Sequence, residues 1–234
     1  MQVPSCPEWT LFDLVQHMGE SHRFWAATVA AGPAATPPAK SASKDVLGSP
    51  REREALLAWL TASTQQLLDA LREAGQDRGC WTWWGTSQTA GAVARHQLQE
   101  ISPDTYDAQI TVGTPQPLPD EVALNGVDEF LSTCSATTSP WPHTPGAVDL
   151  HATAGRSWRL SVSAGGARIT RLPTPGTMPA PLPARPRTQP TPHSGARTAC
   201  ELVLALHGRT PVDSLELEGD RHLVDLLQAW DPDE

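Results

Sequence analysis

The segment Thr10-Leu-Phe-Asp-Leu-Val-Gln-His-Met-Gly19 sets the start and the pattern of the first helix. Thr10 and Asp13 have the spacing of a capping box, in which each side chain bonds to the other residue's backbone N–H. Apolar side chains then recur with helical periodicity at Leu11, Leu14, Val15, Met18, Phe24 and Trp25. The sequence therefore predicts an amphipathic helix that continues to about Ala31.

Three further helices are predicted downstream. Ser49-Pro50 is typical of a helix start, with an N-cap residue followed by proline at the first helical position, and this helix should end near Gly75. A third helix is expected between Ser87 and Val112, and Pro103 should kink it or end it early. A fourth, short helix is predicted from Asp120 to about Ser132.

The periodicity changes in the second half of the chain. Residues 148–153 and 158–162 alternate between apolar and polar with period two, which is typical of half-buried strands. A third strand is expected at 167–172, and two helices at 198–206 and 221–230 flank a short strand at 215–218. The predicted fold class is therefore an all-helical part followed by a small α+β part.

The predicted domains are a helical domain over residues 1–138 and an α+β domain over residues 146–234. The segment 173–197 is rich in proline and poor in apolar residues, so we expect it to be a long exposed insertion in the second domain.

Composition excludes several classes of function. The 234-residue chain has a formal net charge of −9, which argues against binding to a nucleic-acid backbone. Neither an apolar run long enough to span a membrane nor a signal-peptide pattern is visible. The four cysteines are scattered without a CxxC pair, so isolated thiols are expected, with disulfides or metal ligation as the alternatives. We expect a soluble cytoplasmic protein.

Two acidic residues on the third predicted helix suggest a metal site. Glu100 and Asp104 are spaced i, i+4 and share one helix face, and His17 from the first helix would complete a three-ligand, open-sided site. The alternatives are a buried structural role for His17 and a solvated face for the stripe that contains His96, Glu100, Asp104 and Asp107. His96, one turn before Glu100, is a further candidate ligand.

Aromatic residues are concentrated near these positions. Trp81, Trp83 and Trp84 are expected to close the end of the helical bundle, although aromatic walls also line small-molecule pockets. His22 and Trp25 are expected to be packing residues.

Several short segments resemble a single known family: Val3-Pro-Ser-Cys-Pro-Glu-Trp-Thr10, Asp13-Leu-Val-Gln-His-Met-Gly19, Ser21-His-Arg-Phe-Trp25, Trp83-Trp-Gly-Thr-Ser-Gln-Thr89, Ala94-Arg-His-Gln-Leu-Gln-Glu100, Asn125-Gly-Val-Asp-Glu129 and His207-Gly-Arg209. The family is that of the mycothiol-dependent maleylpyruvate isomerases of actinobacteria. The resemblance implies a DinB-like four-helix bundle that holds a divalent metal, followed by an α+β domain related to sterol-carrier folds.

The resemblance also implies roles for individual residues. His17 and Glu100 match two of the family's metal ligands, whereas Asp104 stands where the family has a second histidine. The implied metal is zinc, and the carboxylate of Asp104 favours manganese or iron more than an imidazole would. Arg209 matches the arginine that the family's second domain directs toward the active site, with capping of a helix end as the alternative. Arg95 is a candidate contact to an anionic cofactor, with plain solvent exposure as its alternative.

Three departures from the family pattern limit the implied function. Gln99 and Pro103 are atypical, and the family's usual helix before the Cys-Pro segment is missing. Either the true start lies further upstream, or the bundle lacks its first helix or takes one from a partner. A bundle without this helix would expose an apolar face, which favours a homodimer.

The leading hypothesis is a metal-dependent, mycothiol-dependent isomerase or S-transferase that acts on a small electrophilic substrate. One alternative is a non-catalytic binding or regulatory relative with a degenerate metal site. Another is a metal-dependent enzyme that uses water instead of the thiol.

Overall fold

The computed structural model describes residues 1–33, 52–84, 87–135, 139–173, 198–211, 218–219 and 222–230. The chain divides into two compact units, Met1–Pro117 and Leu118–Glu234. The predicted order, helices first and then a small sheet with helices, is confirmed. The predicted helix start at Ser49-Pro50 and almost all of the proline-rich segment lie outside the described residues. No helix in the described ranges combines the length and apolar character needed to cross a membrane.

The first unit contains a short β-hairpin and three helices. Strand β1 (Gln2–Val3) pairs antiparallel with β2 (Cys6–Thr10), and helix α1 (Leu11–Ala31) follows directly. Helices α2 (Arg53–Ala74) and α3 (Ala90–Thr111) complete the unit. The hairpin was not predicted, because strands this short carry too few residues to establish a period of two.

The predicted capping box at the start of α1 is confirmed. The Asp13 backbone N–H donates to Thr10 Oγ1 over 3.3 Å, and the Thr10 backbone N–H donates to Asp13 Oδ2 over 2.8 Å. Hydrogen bonds from the Thr10 side chain and backbone hold the pKa of the Asp13 carboxyl below its usual value. The helix then buries its apolar face in a core with α2, α3 and the segment before α3, made of Trp25, Ala26, Val29, Leu67, Cys80, Trp84, Ala90 and Val93.

Helix α3 continues past Pro103, so the expectation that this proline ends the helix early is wrong. Proline has no N–H to donate to the carbonyl four residues back. Hydroxyls on both sides of it make additional bonds to helix carbonyls: Ser102 Oγ donates to the Leu98 carbonyl over 2.6 Å, and Thr105 Oγ1 donates to the Ile101 carbonyl over 2.7 Å. Tertiary burial of Pro103 outweighs the local preference against proline.

The second unit is a four-stranded antiparallel sheet with helices, and its strand order is β5-β4-β3-β6. Its elements in chain order are α4 (Asp120–Phe130), a π-helical turn (Leu131–Ser135), β3 (Gly146–His151), β4 (Ser157–Ser163), β5 (Gly166–Leu172), α5 (Ala199–Leu206), β6 (Glu218–Gly219) and α6 (His222–Ala229). The strands predicted at 148–153, 158–162 and 167–172 and the two late helices are present at nearly the expected positions. The strand predicted at 215–218 lies outside the described residues except at Glu218, which belongs to β6.

The sheet buries one face, as its alternating sequence predicts. Val148 lies opposite Leu160, and Leu150 lies opposite Trp158, and all four side chains are buried. On the other face Arg159 is exposed and bonds to Asp149 across the strand pair over 2.6 and 2.7 Å. The alternation of apolar and polar residues along the strands therefore indicates a sheet that is covered on one side.

Helix α4 lies in the second unit, whereas the predicted domain boundary placed it with the N-terminal helices. Ala123, Val127 and Leu131 share a core with α5 and with the sheet residues Leu150 and Trp158. The periodicity of α4 showed that it had an apolar face but carried no information about its partner. Packing of that face against α5 and the sheet puts the observed boundary at Pro117/Leu118.

Candidate functional site

Two polar contacts establish how α1 and α3 face each other. Ser5, in the turn before α1, donates from its hydroxyl to Asp107 Oδ1 near the end of α3 over 2.6 Å. Ser21, midway along α1, has its hydroxyl 3.4 Å from Gln97 Oε1 in the first half of α3. The start of α1 thus lies near the end of α3, so the two helices run antiparallel. Asp107 is fully buried, so this interface is polar inside the first unit.

The predicted metal ligands lie along this interface without converging on a common point. One turn beyond the Ser21–Gln97 contact, α1 reaches His17 and α3 reaches Glu100, with Asp104 one turn further. His17 is exposed, so the alternative of a buried structural role for His17 is wrong. Among the residues that the structure describes, no group of three or more His, Cys, Asp and Glu side chains is arranged to hold a metal ion.

Contacts with other residues explain this arrangement. The His17 ring packs against Trp9 of β2, with ring centroids 4.8 Å apart, which holds the imidazole at the surface. The Glu100 carboxylate is half-exposed and lies 3.8 Å from Nε2 of His96. As these side chains lie, the predicted donor set does not fit a bound metal.

The buried ring of His96 is in contact with three tryptophan rings. Its ring centroid lies 4.6 Å from that of Trp84 and 5.7 Å from those of Trp25 and Trp83. Trp83 is 51% exposed, whereas Trp25 and Trp84 belong to the core. The acidic stripe on α3 is therefore not a solvated face, because its first member, His96, is enclosed by aromatic rings.

His22 and Trp25 are buried packing residues, as predicted. His22 Nδ1 lies 3.0 Å from Thr64 Oγ1 of α2. Burial disfavours the charged imidazolium and lowers the pKa of His22.

Gln97 is the polar residue that sequence reasoning missed. The side chain is only 5% exposed, and its amide nitrogen is buried with no hydrogen-bond partner among the described residues. A glutamine on a helix is commonly a surface residue, so nothing marked it as unusual. The available signal was its spacing: Gln97 lies four residues after the core residue Val93 and therefore on the buried face of α3.

The two arginines predicted to contact an anionic ligand lie in different units. Arg95 is half-buried on α3. Arg209 lies just after α5, and its Nη1 donates to the His207 carbonyl over 2.7 Å. This bond caps the end of α5, which is the alternative role that was predicted for Arg209 from the sequence.

The first unit thus contains a helical bundle in which α1 and α3 meet partly through polar contacts, beside which His17, Glu100 and Asp104 lie. Residues 1–109 match the family model described as the mycothiol maleylpyruvate isomerase N-terminal domain. The match covers the N-terminal part of the chain and there supports the resemblance seen in the sequence. Neither the curated proteins nor the solved structures contain a match to the chain.

Proposed function

We propose that the protein binds mycothiol and acts on a small electrophilic substrate, as an isomerase or an S-transferase. The match of residues 1–109 to the mycothiol maleylpyruvate isomerase domain supports this proposal. The thiol would first lose its proton to solvent, and the thiolate sulfur would form a bond to an electrophilic carbon of a conjugated substrate. The π electron pair of the attacked double bond would move along the conjugated system to its carbonyl oxygen. Rotation and expulsion of the thiolate give isomerisation, and protonation of the retained adduct gives S-transfer. The proposal includes the DinB-like and sterol-carrier-like assignments of the two parts of the fold.

The observation that carries the proposal is the unpartnered amide of Gln97. A buried donor without an acceptor costs roughly 1–3 kcal/mol of stability, and a bound ligand that offers an oxygen would recover part of that cost. Gln97 lies beside Ser21 at the α1–α3 interface, within one helical turn of Glu100. We therefore assign the Gln97 side-chain nitrogen as a hydrogen-bond donor to mycothiol.

A divalent metal is the part of the hypothesis that the described geometry does not support. His17, Glu100 and Asp104 do not form a ligand group, so no step is assigned to a metal here. Arg209 and Arg95 keep their proposed roles of orienting an anionic group on the substrate or the thiol. A small-molecule substrate and a homodimer remain part of the proposal.

The second candidate function is a non-catalytic relative that binds the thiol or its adduct without turning it over. The separation of the three predicted ligands favours this candidate, because it leaves the thiol without a metal to stabilise its reactive thiolate form. Binding of mycothiol is expected for both candidates, whereas thiol-dependent product formation is expected only for the enzyme.

The test is turnover of maleylpyruvate by the full chain with and without mycothiol, beside elemental analysis of the same preparation. Gln97→Met keeps the length of the side chain and removes the donor, so KM for mycothiol should rise about two- to twelvefold, the value of one neutral hydrogen bond. Gln16→Met is the matched control, because Gln16 donates to Glu20 one turn further along α1; this variant should leave KM unchanged.

Product formation that needs mycothiol supports the enzyme. Mycothiol binding without product supports the binding relative. Equal KM values for Gln97→Met and the wild type would remove Gln97 from the site.

A further inference from the structure

The second unit contains its own pocket, with a volume of about 490 Å³. It lies where the end of α4, the π-helical turn, the end of α5 and helix α6 meet. Most of its wall is apolar and is formed by Phe130, Leu206, Val224, Leu227 and Trp230. Pockets that enclose small ligands have volumes of roughly 300–1,000 Å³ and predominantly apolar walls, so this pocket has the size and character of a small-molecule site.

The polar part of the wall comes from the π-helical turn and the end of α5. π-helical turns are rare and occur frequently at functional sites, and this one brings Cys134 and Ser135 to the pocket. Ser135 is 3% exposed, and its hydroxyl has no hydrogen-bond partner among the described residues. His207 also lines the pocket, with its ring centroid 4.9 Å from that of Phe130.

The charge of the wall restricts the class of ligand. None of the described residues that line the pocket is Asp, Glu, Lys or Arg. An ionised group bound there would lose its hydration without gaining a charged partner, which is unfavourable. A neutral ligand with an oxygen atom would instead supply the hydrogen-bond partner that Ser135 lacks.

We propose that this pocket binds an uncharged, mostly apolar small molecule with one hydroxyl or carbonyl oxygen, held by a hydrogen bond to Ser135. The site involves neither a thiol nor a metal and belongs entirely to the second unit. Its existence is therefore independent of the mycothiol-related function proposed above.

Cys134 provides a local reporter of occupancy. Of the four cysteines, Cys134 is the exposed one and it lines the pocket. The experiment measures the rate at which iodoacetamide alkylates Cys134 in the full chain, by peptide mass spectrometry, with 1-octanol or octanoate as the probe. At a 1-octanol concentration ten times its Kd, the rate should fall about tenfold, whereas octanoate should have little effect. Cys200, which is half-buried in α5, shows in the same spectra whether the probe unfolds the unit.

Two serine variants separate a ligand contact from a structural role. Ser135→Ala should weaken protection by 1-octanol about two- to twelvefold, the effect of one neutral hydrogen bond. The same variant should keep or raise the melting temperature, because it removes a buried hydroxyl that has no described partner. Ser132→Ala is the matched control: Ser132 lies on the same turn, donates to the Glu129 carbonyl and does not line the pocket.

The proposal is overturned if 1-octanol gives Cys134 no protection, or if octanoate protects it equally well. It is also overturned if Ser135→Ala lowers the melting temperature and leaves protection unchanged, since the hydroxyl would then be structural. Binding of octanol in the apolar groove of the first unit, which includes Phe12, Val15 and Leu57, would leave the Cys134 rate unaltered and would count against the proposal.

Discussion

Replacing Gly19 with alanine tests how closely α1 approaches the Trp59 ring of α2. Gly19 is buried in α1, and a Cβ added there would lie 2.1 Å from Cζ3, 2.6 Å from Cη2 and 2.8 Å from Cε3 of Trp59. Carbon atoms in contact normally lie about 3.5–4.0 Å apart. The Trp59 ring or one of the helices must therefore move to accept a single methyl group.

The net effect is the difference between two opposing terms. Alanine in a helix interior is favoured over glycine by about 1 kcal/mol. Overpacking a close-packed interface costs about 1–3 kcal/mol, and three overlaps with one rigid ring put Gly19→Ala at the upper end. Gly19→Ala should therefore lower the free energy of unfolding by about 2 kcal/mol, measured by urea denaturation monitored by circular dichroism.

A double-mutant cycle isolates the clash. Trp59→Leu removes the ring, and with it the stacking of the Arg23 guanidinium, which lies 5.0 Å from the ring centroid. In the Trp59→Leu background Gly19→Ala should be neutral or stabilising by up to about 1 kcal/mol. If Gly19→Ala stabilises the wild-type protein, or has the same effect in both backgrounds, the close approach of the helices at Trp59 is refuted.

Three further outcomes follow from burial and charge. Burial lowers the pKa of His22 in the folded protein. The contribution of His22 to stability is therefore complete above the ordinary pKa of 6.5 and is lost as the pH falls below that value. His22→Gln should make the free energy of unfolding, measured by urea titration, depend less on pH between about pH 5 and 7. Asp128 accepts hydrogen bonds from two arginines and a tryptophan. Asp128→Asn should therefore lower the free energy of unfolding by about 2 kcal/mol, whereas Asp149→Asn should lower it by less than about 1 kcal/mol, both measured by thermal unfolding. Cys80 is buried and its thiol pKa is raised, so iodoacetamide should modify it only on unfolding, long after Cys134; equal rates in native protein would contradict this burial.

Local signals in the sequence predicted most of the elements. The Thr10–Asp13 capping box and the apolar spacing of α1 depend on neighbouring residues alone, so they could be read directly. The same holds for the alternation in β3 and β4, where one face is buried. The expectation that Pro103 ends α3 early was wrong because the burial of this proline outweighs its local effect on the helix.

The site was less predictable because it depends on which helix faces meet. The family resemblance and the candidate side chains were visible in the sequence. The outward packing of His17 against Trp9 follows from the β-hairpin, which was not predicted. Gln97 was overlooked because its unusual property is the lack of a partner in the interior, which only coordinates reveal. Helix α4 was assigned to the wrong partner because an apolar face does not identify the surface that covers it.

The central claim is that the protein binds mycothiol at the α1–α3 interface through Gln97. The most direct test is isothermal titration of mycothiol into the full chain, the Gln97→Met variant and the Gln16→Met control. The account predicts saturable binding, a two- to twelvefold weaker affinity for Gln97→Met and no change for Gln16→Met. No heat of binding to folded wild-type protein, or identical affinities for all three, would contradict it.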